Sequence, residues 1–313
     1  MMTRGRAFWL SFFGTLAVLV PLYLAVFAYG SATTGARAAE KEKSGVWVAQ
    51  ATAADAQTVL VMTGGGTAQT AECYTLVRFD AYQNRIAVVS MPPQTVVLIG
   101  GSPVTLAEAV QSAGPSQAVA ALTETLHLCV DNYLFAAPKT LWQTVEAFGN
   151  ITLRLPQYLE RDAMAALGLT EVGGETQAVS PRLFAQILAE GNLAPEKLSA
   201  LRARGYAAFL AAGHGRLKAV LPRAVRVNST ALATNLTAAQ LYDYERTLQF
   251  LDQQEPAYIA EAMPGTWRGA RFELNEESAA FVQAAFSGSA PQQAQAEDSD
   301  VPQSGNAAAS TSN

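Results

Sequence analysis

Few residues of this chain have side chains suited to catalysis or metal binding. The sequence contains two histidines, His127 and His214, and two cysteines, Cys73 and Cys129. Neither histidine has a partner at the spacing that zinc ligands use. The Gly-x-Ser-x-Gly motif, which presents the nucleophile in many serine hydrolases, does not occur. We therefore expect neither a zinc site nor a Ser-His-Asp triad.

The two cysteines, Cys73 and Cys129, both fall in segments predicted to be strands. Outside the cytoplasm a disulfide between them is permitted, and it would stabilise the fold by about 4 kcal/mol in the chain-entropy model. The alternative is two separate buried thiols, which behave as small apolar side chains. The sequence leaves both possibilities open.

A glycine-rich loop, Gly64-Gly65-Gly66-Thr67, follows a short apolar run. Successive backbone N–H groups in such a loop can bind a phosphate group. The loop lacks the lysine and the spacing of a P-loop, so a plain tight turn is the competing interpretation.

The composition excludes two broad classes of protein. The chain has 313 residues, of which 50% are hydrophobic and 15% charged, with a formal net charge of −5. Apolar content this high can form a core, so the chain as a whole is not intrinsically disordered. Nucleic-acid binding normally requires a basic surface, and the acidic balance argues against a nucleic-acid partner.

The N-terminus predicts a membrane anchor. The 23 residues from Phe8 to Gly30 carry no charge, and a helix of this length would cross a bilayer core of about 30 Å. Arg4 and Arg6 precede it and would stay in the cytoplasm, with the rest of the chain outside. The alternative is a cleaved signal peptide, whose apolar region is usually shorter.

The whole chain divides by composition into five segments. Residues 1–7 form the cytoplasmic N-terminus, residues 8–30 the transmembrane helix and residues 31–51 a linker. Residues 52–286 are expected to form one extracytoplasmic domain. Residues 287–313 are rich in Ser, Ala, Gln, Asn and Pro, contain no aromatic residue, and predict a disordered tail.

Strand and helix signals alternate along the domain. Apolar runs predict strands at 57–63, 73–80, 85–91, 95–99, 129–136 and 151–155. Thr105 and Glu108 fit a capping box for a helix ending near Ala113. Further helices are predicted from Pro115 to about Leu126, from Pro138 to Gly149, and near 180–190, 195–212, 237–252 and 275–286. This order predicts an α/β fold in which a mixed sheet lies between helix layers.

Several motifs occur in the order found in a known protein family. They are the strand and loop VLVMTGGG, the run Thr70-Ala71-Glu72-Cys73-Tyr74-Thr75-Leu76-Val77, the run Ser90-Met91-Pro92-Pro93-Gln94-Thr95, the segment from Val130 to Leu155, and the late motifs Thr234-Asn235-Leu236-Thr237 and Met263-Pro264-Gly265. On these motifs, residues 55–286 resemble the LytR-CpsA-Psr (LCP) family of bacterial cell-envelope proteins.

The resemblance implies an α-β-α domain outside the cell membrane of a bacterium, held by a single transmembrane helix. It implies attachment of anionic glycopolymers to peptidoglycan, with a polyprenyl-pyrophosphate-linked donor and Mg²⁺. The positions corresponding to the family's ligand-binding residues are Thr70, Glu72, Gln94, Arg202 and Arg204, of which Glu72 would hold the metal ion. Glu72 and Arg202 are the candidates for catalysis.

The charged residues of the family pattern are mostly replaced. Thr70 stands where the family has arginine, and Pro93-Gln94 stand where it has Arg-Asp. The Arg-x-Arg motif has no counterpart, and the helix motif R-x-x-R-Q keeps only Arg202. Arginine binds pyrophosphate through two parallel hydrogen bonds that these side chains cannot supply. Losing one such donor typically slows catalysis about 100–1,000-fold.

Three hypotheses follow. The first is an LCP-like protein with weak or no transferase activity, kept as a module that binds polyprenyl-phosphate lipid or cell-wall glycopolymer. The second is an active transferase in which Arg202, Arg204 and Arg78 or Arg85 replace the lost cations. The third is an unrelated membrane-anchored structural or sensory domain, which a structure without a sheet between helix layers would favour.

Overall fold

The structure is a computed structural model that describes residues 50–64, 71–155, 165, 168–170, 176–189 and 194–287. The chain divides into two units, Met1–Gln50 and Ala51–Asn313, and the description below concerns the second. The predicted anchor and the predicted tail lie outside the described residues. No helix within the ranges given is both long and apolar enough to cross a membrane.

A six-stranded mixed sheet forms the centre of the domain. In order across the sheet its strands are β10 (Ala257–Ala262), β3 (Arg85–Met91), β2 (Ala71–Asp80), β1 (Ala56–Gly64), β6 (Asn132–Ala136) and β9 (Leu232–Thr234). The pairs β1–β2, β2–β3 and β6–β9 are antiparallel, whereas β1–β6 and β3–β10 are parallel. The parallel pairs need crossover connections, and helices supply them.

Three small two-stranded sheets and a set of helices complete the described part of the chain. The small sheets pair β4 (Val96–Ile99) with β5 (Ser102–Thr105), β7 (Ile151–Arg154) with β8 (Thr176–Val179), and β11 (Thr266–Arg268) with β12 (Arg271–Glu273). The α-helices are α1 (Leu106–Ala113), α2 (Pro115–Leu126), α3 (Pro138–Val145), α4 (Pro181–Ala189), α5 (Pro195–Ala212), α6 (Leu217–Val227), α7 (Ala238–Gln253) and α8 (Glu276–Ser287). Short 3₁₀ turns span Ala53–Asp55 and Glu146–Phe148.

Apolar side chains alternate between the two faces of the central sheet, so each face has its own core. On β1, Val59 and Val61 join a cluster with α3, α4, α5, α6 and α7, whereas Leu60 and Met62 join a cluster with α1, α2 and α8. The period of two along a strand produces this division. The predicted arrangement of a mixed sheet between two helix layers is therefore confirmed.

Local sequence signals located most elements correctly. In the capping box of α1, the Glu108 amide donates to Thr105 Oγ1 (3.2 Å), and the Thr105 amide donates to the Glu108 carboxylate (2.7 Å). The predicted strand at 129–136 is shorter than expected and begins only at Asn132. The Asp131 carboxylate accepts a hydrogen bond from the Thr58 amide (2.7 Å), which ends the strand ladder before Cys129.

Candidate functional site

Glu72 lies at a β-bulge near the start of β2. Thr63 of β1 pairs with Cys73, and Gly64 pairs with Ala71, so Glu72 is the extra residue on its strand. Bulges re-aim side chains and are frequent next to active sites. The Glu72 side chain is exposed, while its neighbours Ala71 and Cys73 are buried.

Arg202 binds the bulge from the helix above it. Arg202 lies on α5, is only 4% exposed, and donates from Nη1 to the backbone carbonyl oxygen of Glu72 (3.1 Å). The structure therefore brings the two candidate catalytic residues together. The contact is with the backbone of Glu72, so this guanidinium nitrogen stabilises the bulge. A phosphate ligand would have to compete with this hydrogen bond.

The helix position where the resemblance expects a second arginine is closed by an aromatic side chain. A Cβ atom at Gly205 would lie 2.8 Å from both Cδ2 and Cζ of Phe184 and closer still to its Cε2. The Phe184 ring packs edge-on against Tyr206 (5.1 Å between centroids) and lies 4.9 Å from Phe209. An aromatic cluster thus fills the space that a cation would need.

The other residues that the resemblance assigned are Gln94, Arg204 and Thr70. Gln94 is half-buried, and its backbone carbonyl accepts a hydrogen bond from the Phe272 amide of β12 (3.0 Å). Arg204 is half-buried on α5, two residues from Arg202. A helix turns 100° per residue, so Arg204 points about 200° away from Arg202. Thr70 lies outside the described residues, as does most of the glycine-rich loop.

Arg78 and Arg85 do not replace the missing cations, which corrects that part of the second hypothesis. The Arg78 Nε is 3.3 Å from the Asp80 carboxylate, and its Nη1 donates to Thr58 Oγ1 (3.1 Å). Arg85 is buried and donates to the backbone carbonyl of Ala284 (3.3 Å). Both lie at the far end of β2 and β3, and six residues of strand separate Arg78 from Glu72, about 20 Å.

The possible disulfide between Cys73 and Cys129 is absent, because both thiols are free. Cys73 pairs with Thr63 near one end of β1, whereas Cys129 precedes the strand that pairs with Val59 near the other end. The two cysteines are therefore separated by two strand spacings and several residues of strand, well beyond the 7 Å between Cα atoms that a disulfide allows. Cys73 is buried, as the alternative expected, but Cys129 is exposed.

The neighbourhood of Glu72 offers few protein ligands for a metal ion. Within the described ranges, no group of three or more His, Cys, Asp or Glu side chains is placed to share an ion. Mg²⁺ commonly keeps several waters and binds one or two carboxylates together with substrate phosphates. The exposed Glu72 carboxylate fits such a single-ligand arrangement and does not fit an all-protein metal site.

An apolar cavity lies between the sheet and the helices on the α5 side. Its volume is about 120 Å³, and its lining comes from β1, β2, β6 and from α3, α5, α6 and α7. Val59, Val77 and Phe79 form its floor, and Leu221 and Val225 of α6 form part of its wall. Leu221 and Val225 of α6 are half-buried, as are the lining residues Leu134 of β6, Leu232 of β9 and Leu236, so the solvent-accessible side of the cavity is bounded by α6, β6 and β9. Dry cavities lined in this way bind apolar molecules.

Tyr206 connects the cavity with a row of buried polar side chains. Its ring lines the cavity, and its pKa is raised well above the usual tyrosine value by burial and by Cys73, with Arg202 opposing. On the same face of the sheet, the hydroxyl groups of Thr75 and Ser90 are 2.5 Å apart, and Cys73 Sγ is 3.6 Å from Thr75 Oγ1. The cavity lining itself is apolar, and Tyr206, one helical turn after Arg202 on α5, is the lining residue that adjoins this polar row.

Comparison with solved structures identifies the fold. A protein from Eubacterium siraeum described as a transcription regulator has a TM-score of 0.66 and 15% identity, covering 78% of this chain and 96% of that one. TagT bound to LI-WTA gives 0.58 and 15%, covering 74% and 91%. TagV from B. subtilis gives 0.54 and 13%, covering 74% and 97%. No protein family model and no curated protein matches the sequence.

These similarities confirm the LCP fold that the sequence motifs suggested. The third hypothesis expected a structure without a central sheet between helix layers, and at the level of fold it is wrong. Sequence reasoning missed two features. One is the packing of Phe184 against Gly205, and the other is the part of the cavity wall that Leu221 and Val225 of α6 form. The only sequence signal for the Phe184–Gly205 pair was a glycine inside a predicted helix.

Proposed function

We propose that this protein is a membrane-anchored accessory or binding module of the bacterial cell envelope, with weak or no transferase activity. In this proposal residues 8–30 anchor it in the cell membrane, and the domain lies outside. One combined observation carries the proposal. An apolar cavity lies beside the Glu72–Arg202 site, and at that site other residues occupy most of the positions where the family has arginine. In this proposal the cavity, of about 120 Å³, takes a short apolar part of a lipid chain, while most of the family's arginine positions near it carry other residues.

The cavity supports binding of a polyprenyl-phosphate lipid. Its lining is aliphatic and aromatic from β1 to α7, and such surfaces bind hydrocarbon chains without specific polar contacts. Tyr206 lines the cavity and the buried Arg202 lies one turn before it on α5, so in this proposal the phosphate end of the lipid approaches this turn of α5. TagT, which has the same fold, was determined bound to LI-WTA, and this supports a glycopolymer-linked ligand.

The site supports little catalysis. Phosphoryl transfer depends on positioning and on several fixed positive charges. Gly205 and Phe184 remove one of the expected arginines, Pro93 stands in place of another, and Arg202 donates to a backbone carbonyl. Arg202 is the cation that remains at the site. It could hold one phosphate group, which is sufficient for binding but not for stabilising the charge that develops during transfer.

Lipid binding is tested with the full chain in neutral-lipid nanodiscs and undecaprenyl phosphate. Ligand at 100 times its Kd should raise the free energy of unfolding by about 2.7 kcal/mol, measured as a rise in melting temperature. Leu134→Trp should reduce this rise, because Leu134 lines the cavity. Tyr133→Trp is the matched control, since Tyr133 is half-buried on the same strand and packs with the opposite cluster.

Two results would contradict this part of the proposal. One is an unchanged melting temperature at saturating undecaprenyl phosphate. The other is an equal loss of stabilisation in Leu134→Trp and Tyr133→Trp, which would place the lipid elsewhere.

An active but divergent transferase is the second candidate, and the exposed Glu72 carboxylate at the bulge favours it. In this function Glu72 would bind Mg²⁺ on the donor pyrophosphate, and Arg202 and Arg204 would supply the positive charge. Replacement of Glu72 by Ala should then abolish a measurable transfer rate. A transfer rate unchanged by Glu72→Ala would rule out this role of Glu72, and no transfer by the parent protein would rule out the function.

A further inference from the structure

A stripe of basic and apolar side chains runs along the outer side of α6. Arg216, Arg223 and Val227 are exposed and are separated by seven and four residues, so they lie on one side of the helix. Val227 is 72% exposed, which is unusual for an aliphatic side chain. The inner side of the same helix contributes Leu221 and Pro222 to the cavity.

Helix α7 continues this surface towards the start of the domain. Tyr242 is 69% exposed and lies one turn before Arg246. Arg246 Nε is 3.0 Å from the Asp55 carboxylate, so it joins α7 to the first turn of the domain. Arg226 of α6 forms an ion pair with Glu245 of α7, which holds the two helices side by side. We refer to Arg216, Arg223, Val227, Tyr242 and Arg246 as the α6–α7 surface.

Most acidic groups near this surface are already engaged. Asp55 and Glu245 are paired with Arg246 and Arg226 as described, and the Asp252 carboxylate accepts from the amides of Leu217 and Lys218 at the start of α6. Two exposed acids remain nearby, Asp243 on α7 and Glu255, which follows the Gln254 whose carbonyl contacts His214. Arg216 and Arg223 form no ion pair with other described residues. The surface is thus basic at α6 although the whole chain has a net charge of −5.

We infer that the α6–α7 surface lies against the anionic lipid headgroups of the membrane that anchors the chain, an inference that rests on the anchoring part of the proposed function. Basic residues beside exposed aliphatic and tyrosine side chains are typical of surfaces that bind the membrane interface. The contact places the cavity opening, whose wall is the inner side of α6, next to the lipids from which a polyprenyl chain would enter.

The α6–α7 surface reaches the end of the sheet that lies away from Glu72. Asp55, to which Arg246 is bonded, also accepts a hydrogen bond at its backbone carbonyl from the Ala81 amide (3.3 Å), just after β2 ends. The Glu72 bulge lies at the opposite end of β2.

The test uses the full chain in vesicles of phosphatidylcholine alone or with 30% phosphatidylglycerol. A fluorophore is attached at Val227→Cys in a Cys129→Ser background, because Cys129 is exposed. Quenching by a nitroxide on the lipid headgroup should be at least twofold greater than for a fluorophore at Gln111→Cys, an exposed position on α1. The difference in quenching between these two positions should be larger in vesicles that contain phosphatidylglycerol.

Two double variants test whether the arginines of the α6–α7 surface contribute to its contact with anionic lipid. Replacing Arg216 and Arg223 by Gln should lower the equilibrium constant for surface contact about 30-fold, since each cation near an anionic membrane contributes about fivefold. The matched control replaces Arg154 and Arg182, both exposed elsewhere on the domain, and should leave quenching unchanged. Equal quenching at Val227 and Gln111, or equal effects of the two double variants, would overturn the inference.

Two further outcomes separate this inference from the proposed function. A chain that resists extraction by alkaline carbonate but shows no quenching at Val227 is anchored, and only the inference is then wrong. A chain extracted by carbonate is not anchored, and both are then wrong. If poly(glycerol phosphate) changes Val227 fluorescence while anionic vesicles do not, the surface binds glycopolymer and the membrane contact is excluded.

Discussion

Replacing Gly205 by Ala tests whether Phe184 closes the second arginine position. The new Cβ would lie 2.8 Å or less from three atoms of the Phe184 ring, whereas carbon atoms in ordinary contact are 3.5–4.0 Å apart. Phe184 is 1% exposed and is held between Tyr206 and Phe209, so the ring has no free space to enter. Overpacking of this kind costs about 1–3 kcal/mol, and we expect the upper end.

Helix propensity opposes this cost. Alanine stabilises a helix interior by about 1 kcal/mol relative to glycine. The net expectation for Gly205→Ala is therefore a loss of about 2 kcal/mol in the free energy of unfolding. For a domain of this size the melting temperature should fall by about 4–8 °C. Urea denaturation followed by circular dichroism measures the free energy directly.

The same substitution in a Phe184→Leu background provides the control. Leucine lacks the ring atoms that would collide with the new Cβ. The gain in helix propensity from glycine to alanine should therefore exceed the packing cost in this background. Gly205→Ala should be neutral or stabilising by up to about 1 kcal/mol in that background. A Gly205→Ala protein as stable as the parent in the original background would refute the packing argument, and with it the claim that this position cannot hold a cation.

Three further predictions concern single groups. In the native protein only Cys129 should react with a thiol reagent, and Asp131→Asn should speed the reaction, because Asp131 raises the Cys129 pKa and so lowers the thiolate fraction. Cys73 should react only after denaturation; two reactive native thiols would contradict the structure. Burial raises the pKa of Tyr206, so the folded state keeps its proton where the unfolded state loses it. Stability should then fall as pH rises above about 10, by about 1.4 kcal/mol per pH unit for each such tyrosine, seen as alkaline unfolding. Thr105→Ala should cost about 1 kcal/mol by removing the α1 cap, and no change on urea denaturation would show the cap to be unimportant.

Sequence reasoning succeeded where short-range signals determine structure. The strands β1, β2 and β3 were predicted from apolar runs and a four-residue connection, and the start of α1 from Thr105 and Glu108. Each of these depends on residues close in the chain. The collinear motifs then indicated the fold, which the sheet order and the similar solved structures support.

Sequence reasoning failed where distant segments meet. β10 joins β3 across about 170 residues, and no local pattern marks it as an edge strand. The contact of Arg202 with the Glu72 carbonyl depends on a bulge that shifts the strand register by one residue. The closure of Gly205 depends on Phe184, which comes from another helix. Residue types alone do not reveal which of these groups face one another.

The most direct test of the account is a transfer assay on the purified full chain. The reaction contains a polyprenyl-pyrophosphate-linked glycopolymer, peptidoglycan and Mg²⁺, and the product is polymer covalently attached to peptidoglycan. The account predicts that the protein binds the lipid-linked donor and transfers no polymer above the rate measured without protein. Magnesium-dependent transfer that is lost on replacing Glu72 by Ala would contradict it and establish an active enzyme.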